Sequence, residues 1–107
     1  MSNHNELATL VAFDFQLSVP ASATEEALRN LLAERVNWLI VHDFDTLVRL
    51  LYRIDVPEAK LKKLLQDHPE ADAGLLIAAM IIDRQRQKIE SREKYRQPKA
   101  EDNEEKW

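Results

Sequence analysis

The chain has 107 residues, a formal net charge of −4 and no cysteine, so it offers neither a disulfide framework nor thiolate chemistry. Its single glycine argues against a turn-rich β fold and against the glycine-rich loops that bind nucleotide phosphates. No apolar run approaches the roughly 20 residues that span a bilayer, and the N-terminus lacks the layout of a secretory signal. We therefore expect a cytoplasmic protein with one modest core and no membrane contact.

Residues 1–22 are predicted to form an extended N-terminal arm, although the apolar residues within 7–11 suggest a helical turn or two, and 13–19 are left open between strand, helix and loop. Phe13, Phe15, Leu17 and Val19 alternate with polar residues, which is the pattern of a strand. A single strand has no partner in an otherwise helical chain. We expect the arm to lie over the helices; the alternative is that it pairs with a second copy or with a partner's sheet edge.

Residues 23–97 are predicted to form an all-α domain, a compact bundle of four helices. The helices are expected near residues 24–41, 44–54, 57–67 and 70–96. Ser22 or Thr24 is predicted to cap the first helix, and Asp43 the second. Residues 75–82 are apolar on every side, which predicts a segment buried all round at the centre of the bundle. The polar second half of this last helix is expected to project from the bundle.

The stretch 43–65 predicts two amphipathic helices joined by a tight corner. One apolar stripe recurs at helical spacing and is expected to be buried: Phe44, Leu47, Val48, Leu51 and Ile54. Val56 precedes Pro57 and is pushed out of the helical region, which ends the first helix. Asp55 and Glu58 have the spacing of a capping box for the second helix.

With this hairpin, the chain resembles a group of short, uncharacterised bacterial helical proteins. The residues that carry the resemblance are Asp43, Phe44, 51–56, Glu58 and Leu61, with 81–89 behind them. The resemblance covers roughly half of the chain and leaves out the arm and the acidic C-terminal tail. It implies a helical fold and no known activity.

Ionisable residues give little support to an enzyme. His42, Asp43 and Asp45 could be considered for a metal or acid–base site. However, consecutive residues on a helix do not converge on one ion, and Asp43 is accounted for as a cap. No serine lies in a nucleophile-elbow motif. We therefore expect no enzyme, no metal and no cofactor.

The end of the chain is strongly polarised in charge. Residues 83–99 hold seven basic and three acidic side chains, a net charge of +4, whereas the tail 98–107 is acidic and predicted to be disordered. Four cations follow one another at i+4 and form what we call the basic ridge: Arg84, Lys88, Arg92 and Arg96. One interpretation is a docking surface for something acidic, which could be the tail itself, a second copy, a partner protein or nucleic acid. The other interpretation is an ordinary solvated helix end.

The predicted function is a non-catalytic protein-interaction or regulatory module that binds a protein partner or a second copy. The alternative is nucleic-acid binding through a helix-turn-helix-like hairpin at 44–65, with Lys60, Lys62 and Lys63 on phosphates. Nucleic acid is not favoured, because Asp55 stands where such corners usually have glycine. Side chains that read base edges are also scarce at the start of the second helix.

Overall fold

The computed structural model describes residues 2–96, with side chains from 5 to 95, and these residues form five helices. The helices are α1 (Ser2–Phe15), α2 (Glu25–His42), α3 (Phe44–Ile54), α4 (Glu58–Asp67) and α5 (Ala73–Arg96). The predicted all-α class is confirmed, since residues 2–96 contain no strand. The acidic tail predicted at 98–107 lies outside the described residues.

An antiparallel pair of helices, α2 and α5, forms the centre of the fold. Arg86 on α5 pairs with Glu25 at the start of α2, and Asn37 near the end of α2 donates to Asp72 just before α5 at 2.9 Å. The buried side chains that these two helices contribute to the core include Leu28, Leu32, Val36, Leu39, Ile77, Ala78, Ile81 and Ile82. Gly74 permits the close crossing, because a Cβ there would lie 2.6 Å from the carbonyl oxygen of Ala33.

The extended arm predicted for residues 1–22 is wrong for residues 2–15, which form α1. Leu7, Val11 and Phe15 are buried at i, i+4 and i+8 on one face of this helix. That face packs against α5 and α2, so α1 is part of the core. Burying three large apolar side chains on one helical face outweighs the weak strand pattern of 13–19.

Gln16 ends α1 by adopting the left-handed conformation, with φ of 56°. This turn lets the N–H of Leu17 donate to the carbonyl oxygen of Ala12 at 2.9 Å, the pattern of a Schellman C-cap. Residues 17–20 then run without regular structure, with Leu17 and Val19 half-buried against the core. The segment without regular structure that follows α1 is therefore much shorter than the predicted arm.

Both predicted N-caps are confirmed. The N–H of Ala27 donates to the Thr24 hydroxyl at 3.1 Å, and the N–H of Thr46 donates to the Asp43 carboxylate at 3.2 Å. Asp43 also separates α2 from α3, since its non-helical backbone, with φ of −157° and ψ of 67°, interrupts what would otherwise be one long helix. The side-chain oxygens satisfy N–H groups that have no partner inside the helix.

The predicted capping box at the α3–α4 corner is wrong. Asp55 is instead the left-handed residue that ends α3, with φ of 69°, and the N–H of Val56 donates to the Leu51 carbonyl oxygen at 3.1 Å. Its carboxylate accepts from Arg84 at 3.0 Å, so it points to α5 rather than to α4. Helix α4 begins after Pro57 without a side-chain cap and packs against α5.

Helix α5 departs from its prediction in both halves. Leu75 and Ala79 in the first half are exposed, because the neighbouring helices cover only part of the circumference of α5. The predicted projection of the second half is wrong, since α1 packs along it as far as the ion pair between Arg92 and Glu6. Ile89 is accordingly buried.

Candidate interaction surface

Exposed large hydrophobic side chains concentrate at the end of α2 and along α3. Of the eight such residues among those that the structure describes, five lie between positions 38 and 52. We call them the α2–α3 face: Trp38, Val41, Phe44, Val48 and Tyr52. The clustering matters, because single exposed apolar residues are normal on a protein surface, whereas large contiguous apolar patches are uncommon on monomeric proteins.

Trp38 is held in place by neighbours on its own helix. The Arg35 guanidinium lies over the indole, 5.7 Å from the ring centroid, and the His42 ring stacks on it at 4.5 Å with an interplanar angle of 18°. The His42 Nδ1 also lies 3.0 Å from the Trp38 carbonyl oxygen. The indole is therefore fixed in one orientation while about half of it stays open to solvent.

A groove of about 870 Å³ runs beside this stack, between the C-terminal end of α1, the middle of α2 and α3. Trp38, Val48 and Tyr52 of the α2–α3 face line it. Two arginines close its α1 side: Arg53 donates to Asp14 at 2.8 Å, and Arg35 donates to the Gln16 carbonyl oxygen at 3.3 Å. The groove is therefore lined by tryptophan, tyrosine and arginine, the residue types that are enriched in the hot spots of protein interfaces.

The charges around the groove are mixed in sign. Arg35, Arg49 and Arg53 line it together with Asp14 and Asp43. The pKa of Asp43 is lowered by hydrogen bonds from Thr46, first from its hydroxyl at 2.7 Å and then from its backbone N–H. Asp43 is therefore ionised at neutral pH, and the surface offers both signs of charge to a partner.

The basic ridge is partly used within the chain. Arg84 pairs with Asp55 at 3.0 Å and Arg92 pairs with Glu6, so these two cations tie α5 to the α3–α4 corner and to α1. Lys88 is half-buried and has no ion pair among the described residues. The side chain of Arg96 lies outside the described residues.

The three lysines of the alternative interpretation, Lys60, Lys62 and Lys63, are all exposed on α4. Lys62 lies 3.6 Å from Glu58, and Lys63 lies 3.2 Å from Asp67, each one helical turn away. Surface pairs at this spacing contribute little to stability, and they reduce the local positive charge that a phosphate would meet.

The ionisable residues at the α2–α3 junction do not converge. His42 stacks on Trp38, and Asp43 caps α3. Among the side chains that the structure describes, from 5 to 95, we find no group of three or more histidine or acidic residues that could hold a metal ion.

Comparison of the chain with protein-family models, with curated proteins and with solved structures gives no match. The resemblance to short bacterial helical proteins thus stays a prediction. Within the described part of the chain, no helix combines the length and the apolar character needed to cross a membrane.

Sequence reasoning missed the α2–α3 face because it assigned Phe44 and Val48 to the buried stripe of α3. The structure buries Leu47 and Ile54 and leaves Phe44 and Val48 exposed, at 57% and 42%. A signal was present in the spacing. The exposed residues recur at intervals of three and four along 38–52, as a second apolar row beside the core row.

Proposed function

We propose that this protein acts by binding another protein surface through the α2–α3 face, as a non-catalytic interaction module. The observation that carries the proposal is the concentration of exposed aromatic and aliphatic side chains in one short stretch, beside a groove with arginines at its edge. Tryptophan, tyrosine and arginine are the residues most enriched at the energetic centres of protein interfaces.

The fixed geometry of the face supports this proposal. Trp38 is held by contacts with Arg35 and His42, so little side-chain entropy would be lost when a partner covers it. Mixed charges around the groove favour a protein partner over a polyanion, since Asp14 and Asp43 would repel phosphates. A protein surface can instead offer both signs of charge in return.

Site-specific photocrosslinking in cells tests the proposal. A photoreactive amino acid replaces Val48 in one variant and the exposed Glu34, in the middle of α2, in the control. We expect covalent protein adducts from position 48 and few from position 34. The yield of adducts from position 48 should decrease when Trp38→Ala is introduced into the same chain. Equal adduct yields at both positions would contradict the proposal, as would a yield at 48 that ignores the loss of the indole.

Nucleic-acid binding through the α3–α4 hairpin is the competing function, and the observation in its favour is that Lys60, Lys62 and Lys63 are all exposed. It predicts binding to duplex DNA that weakens with salt, with a slope of about 0.9 per phosphate contacted. Fluorescence anisotropy with a labelled duplex measures this directly. The absence of binding at low salt would reject this function, and the interaction module would not be affected.

A further inference from the structure

One helix contributes most of the α2–α3 face. Phe44, Val48 and Tyr52 follow one another at i+4 along α3 and are 57%, 42% and 81% exposed. They form a single exposed apolar row on α3, beside the buried row that contains Leu47 and Ile54. The row runs the length of the helix, so whatever covers it must present a similarly long apolar strip.

Two exposed charges of opposite sign border this row. The i, i+4 spacing of Asp45 and Arg49 would suit an ion pair within α3. Among the described residues they make no such pair: Arg49 donates to the Thr46 hydroxyl at 3.0 Å, and Asp45 has no ion-pair partner. The row therefore has a negative charge near its beginning and a positive charge past its middle, both accessible to a partner.

This charge order is self-complementary when two copies of α3 pack antiparallel. If the two-fold axis passes beside Val48, Phe44 of one copy meets Tyr52 of the other, and the two Val48 side chains meet each other. With about 1.5 Å of rise per residue, Asp45 of one copy and Arg49 of the other are then offset by only about 3 Å along the axis. Each interface would hold this ion pair twice, whereas parallel packing would place like charges opposite each other.

We propose that the partner of the α2–α3 face is a second copy of this chain, bound through antiparallel α3 helices with reciprocal ion pairs between Asp45 and Arg49. The inference rests on the proposed function and names the partner at that site. An isologous contact of this kind needs no second protein with a matching surface, because the row and its two charges supply both halves.

A charge-swap experiment tests the pairing. Sedimentation equilibrium of the full chain gives the dissociation constant for wild type, Asp45→Arg, Arg49→Asp and the double variant. We expect each single change to raise the dissociation constant about tenfold or more, because like charges then face each other across the interface. The double variant restores opposite charges and should return to within about threefold of wild type.

Glu26→Arg is the matched control. Glu26 is also an exposed acid in the first turn of its helix, so this change carries the same loss of favourable interaction with the helix dipole, away from α3. It should leave the dissociation constant unchanged. Circular dichroism of every variant shows whether the fold is kept, since all these positions are exposed.

Three results would overturn the second copy as partner. They are a wild-type chain that stays monomeric at the highest attainable concentration, single variants that dimerise as wild type does, and a double variant that is not rescued. If the chain is monomeric but position 48 still forms adducts with a different protein, the interaction module survives and only the self-pairing fails. If position 48 gives no specific adduct, both fail together.

Discussion

Asp43 and Asp72 each accept hydrogen bonds at the start of a helix, and both carboxyl groups have a lowered pKa for that reason. For Asp43 the Thr46 hydroxyl has the largest effect, followed by the Thr46 N–H. For Asp72 the main cause is the side chain of Asn37, and backbone N–H groups at the start of α5 add to it. These bonds favour the ionised form, which is also the form that complements the positive end of a helix.

We predict that stability falls in acid because of these two residues. Their folded-state pKa lies below the unfolded value of about 3.9. Their contribution is therefore complete above about pH 4 and is lost as the pH falls through the folded-state pKa. Asp43→Asn with Asp72→Asn keeps the capping geometry without the charge, so the double variant should lose less stability than wild type between neutral pH and about pH 3.

Urea unfolding at both pH values measures this difference. Glu34→Gln is the control, because it removes an exposed carboxylate from the middle of α2. If the free energy of unfolding depends on pH in the same way in the double variant and in wild type, the carboxylates of Asp43 and Asp72 do not contribute to the loss of stability in acid.

Gly74 lets α2 and α5 approach each other closely. A Cβ there would lie 2.6 Å from the Ala33 carbonyl oxygen, which is backbone and cannot move aside without separating α2 from α5. We expect Gly74→Ala to lower the free energy of unfolding by about 1–3 kcal/mol, as overpacking does elsewhere. Ala79→Ser adds one atom on the exposed side of α5 and should change it by less than about 0.5 kcal/mol. Thermal unfolding of both variants measures these changes in stability. Similar losses of stability in the two variants would argue against a tight crossing of α2 and α5 at Gly74.

Individual residues show which signals the sequence carries. The caps at Thr24 and Asp43 could be predicted, because these residue types satisfy free N–H groups locally. The left-handed residues Gln16 and Asp55 could not, since such positions are usually signalled by glycine or asparagine. At both positions the chain must turn back onto the core, so the tertiary fold sets their backbone conformation.

Helix α1 illustrates what happens when two patterns compete within one element. Positions 13, 15, 17 and 19 alternate like a strand, while Leu7, Val11 and Phe15 recur at helical spacing. Phe15 belongs to both patterns, and only packing against α5 and α2 decides between them. The ends of α2 and α3 were easier to predict, because caps and a proline mark them in the sequence.

Two phenylalanines on α1 test its place in the core. Phe15 is 2% exposed and Phe13 is 76% exposed on the same helix. Phe15→Ala should lower the free energy of unfolding by about 3–5 kcal/mol, because it leaves a large cavity. Phe13→Ala should stay within about 0.5 kcal/mol of wild type. Denaturant unfolding measures the free energy of unfolding of both variants. Equally small decreases in the two variants would contradict a place for α1 in the core and would fit an arm that lies loosely on the surface.

At the scale of the whole molecule, Asp14 joins three helices. Its carboxylate accepts from Gln85 on α5 at 3.1 Å and from Arg53 on α3 at 2.8 Å. Gln85 is a polar residue buried in the core, with 5% exposure, and its amide needs this partner. No sequence pattern indicates this network, because its members lie far apart along the chain and only the tertiary fold brings them together.

A double-mutant cycle should reveal the coupling between Asp14 and Gln85. Asp14→Ala leaves the Gln85 amide buried without its acceptor and should cost about 1–3 kcal/mol. Adding Gln85→Leu removes the orphaned group, so the two changes should be non-additive by about 0.5–3 kcal/mol. Urea unfolding of the four proteins gives the coupling energy. Arg53→Gln is the control: the Arg53 side chain is 62% exposed, so this change should lower the free energy of unfolding by less than about 1 kcal/mol. If the effects of the Asp14 and Gln85 changes simply add, the result would contradict the network.

The docking of α1 and α2 on α5 also has a consequence for the rate of folding. Glu6 and Arg92 are 86 positions apart, Asp14 and Gln85 are 71 apart, and Glu25 and Arg86 are 61 apart. Helical proteins usually fold fast because their contacts are local, but here a loop spanning most of the chain must close before the core is complete. Refolding should accordingly be slower than in bundles whose neighbouring helices are adjacent in sequence, with the arrival of α5 as the step that limits it.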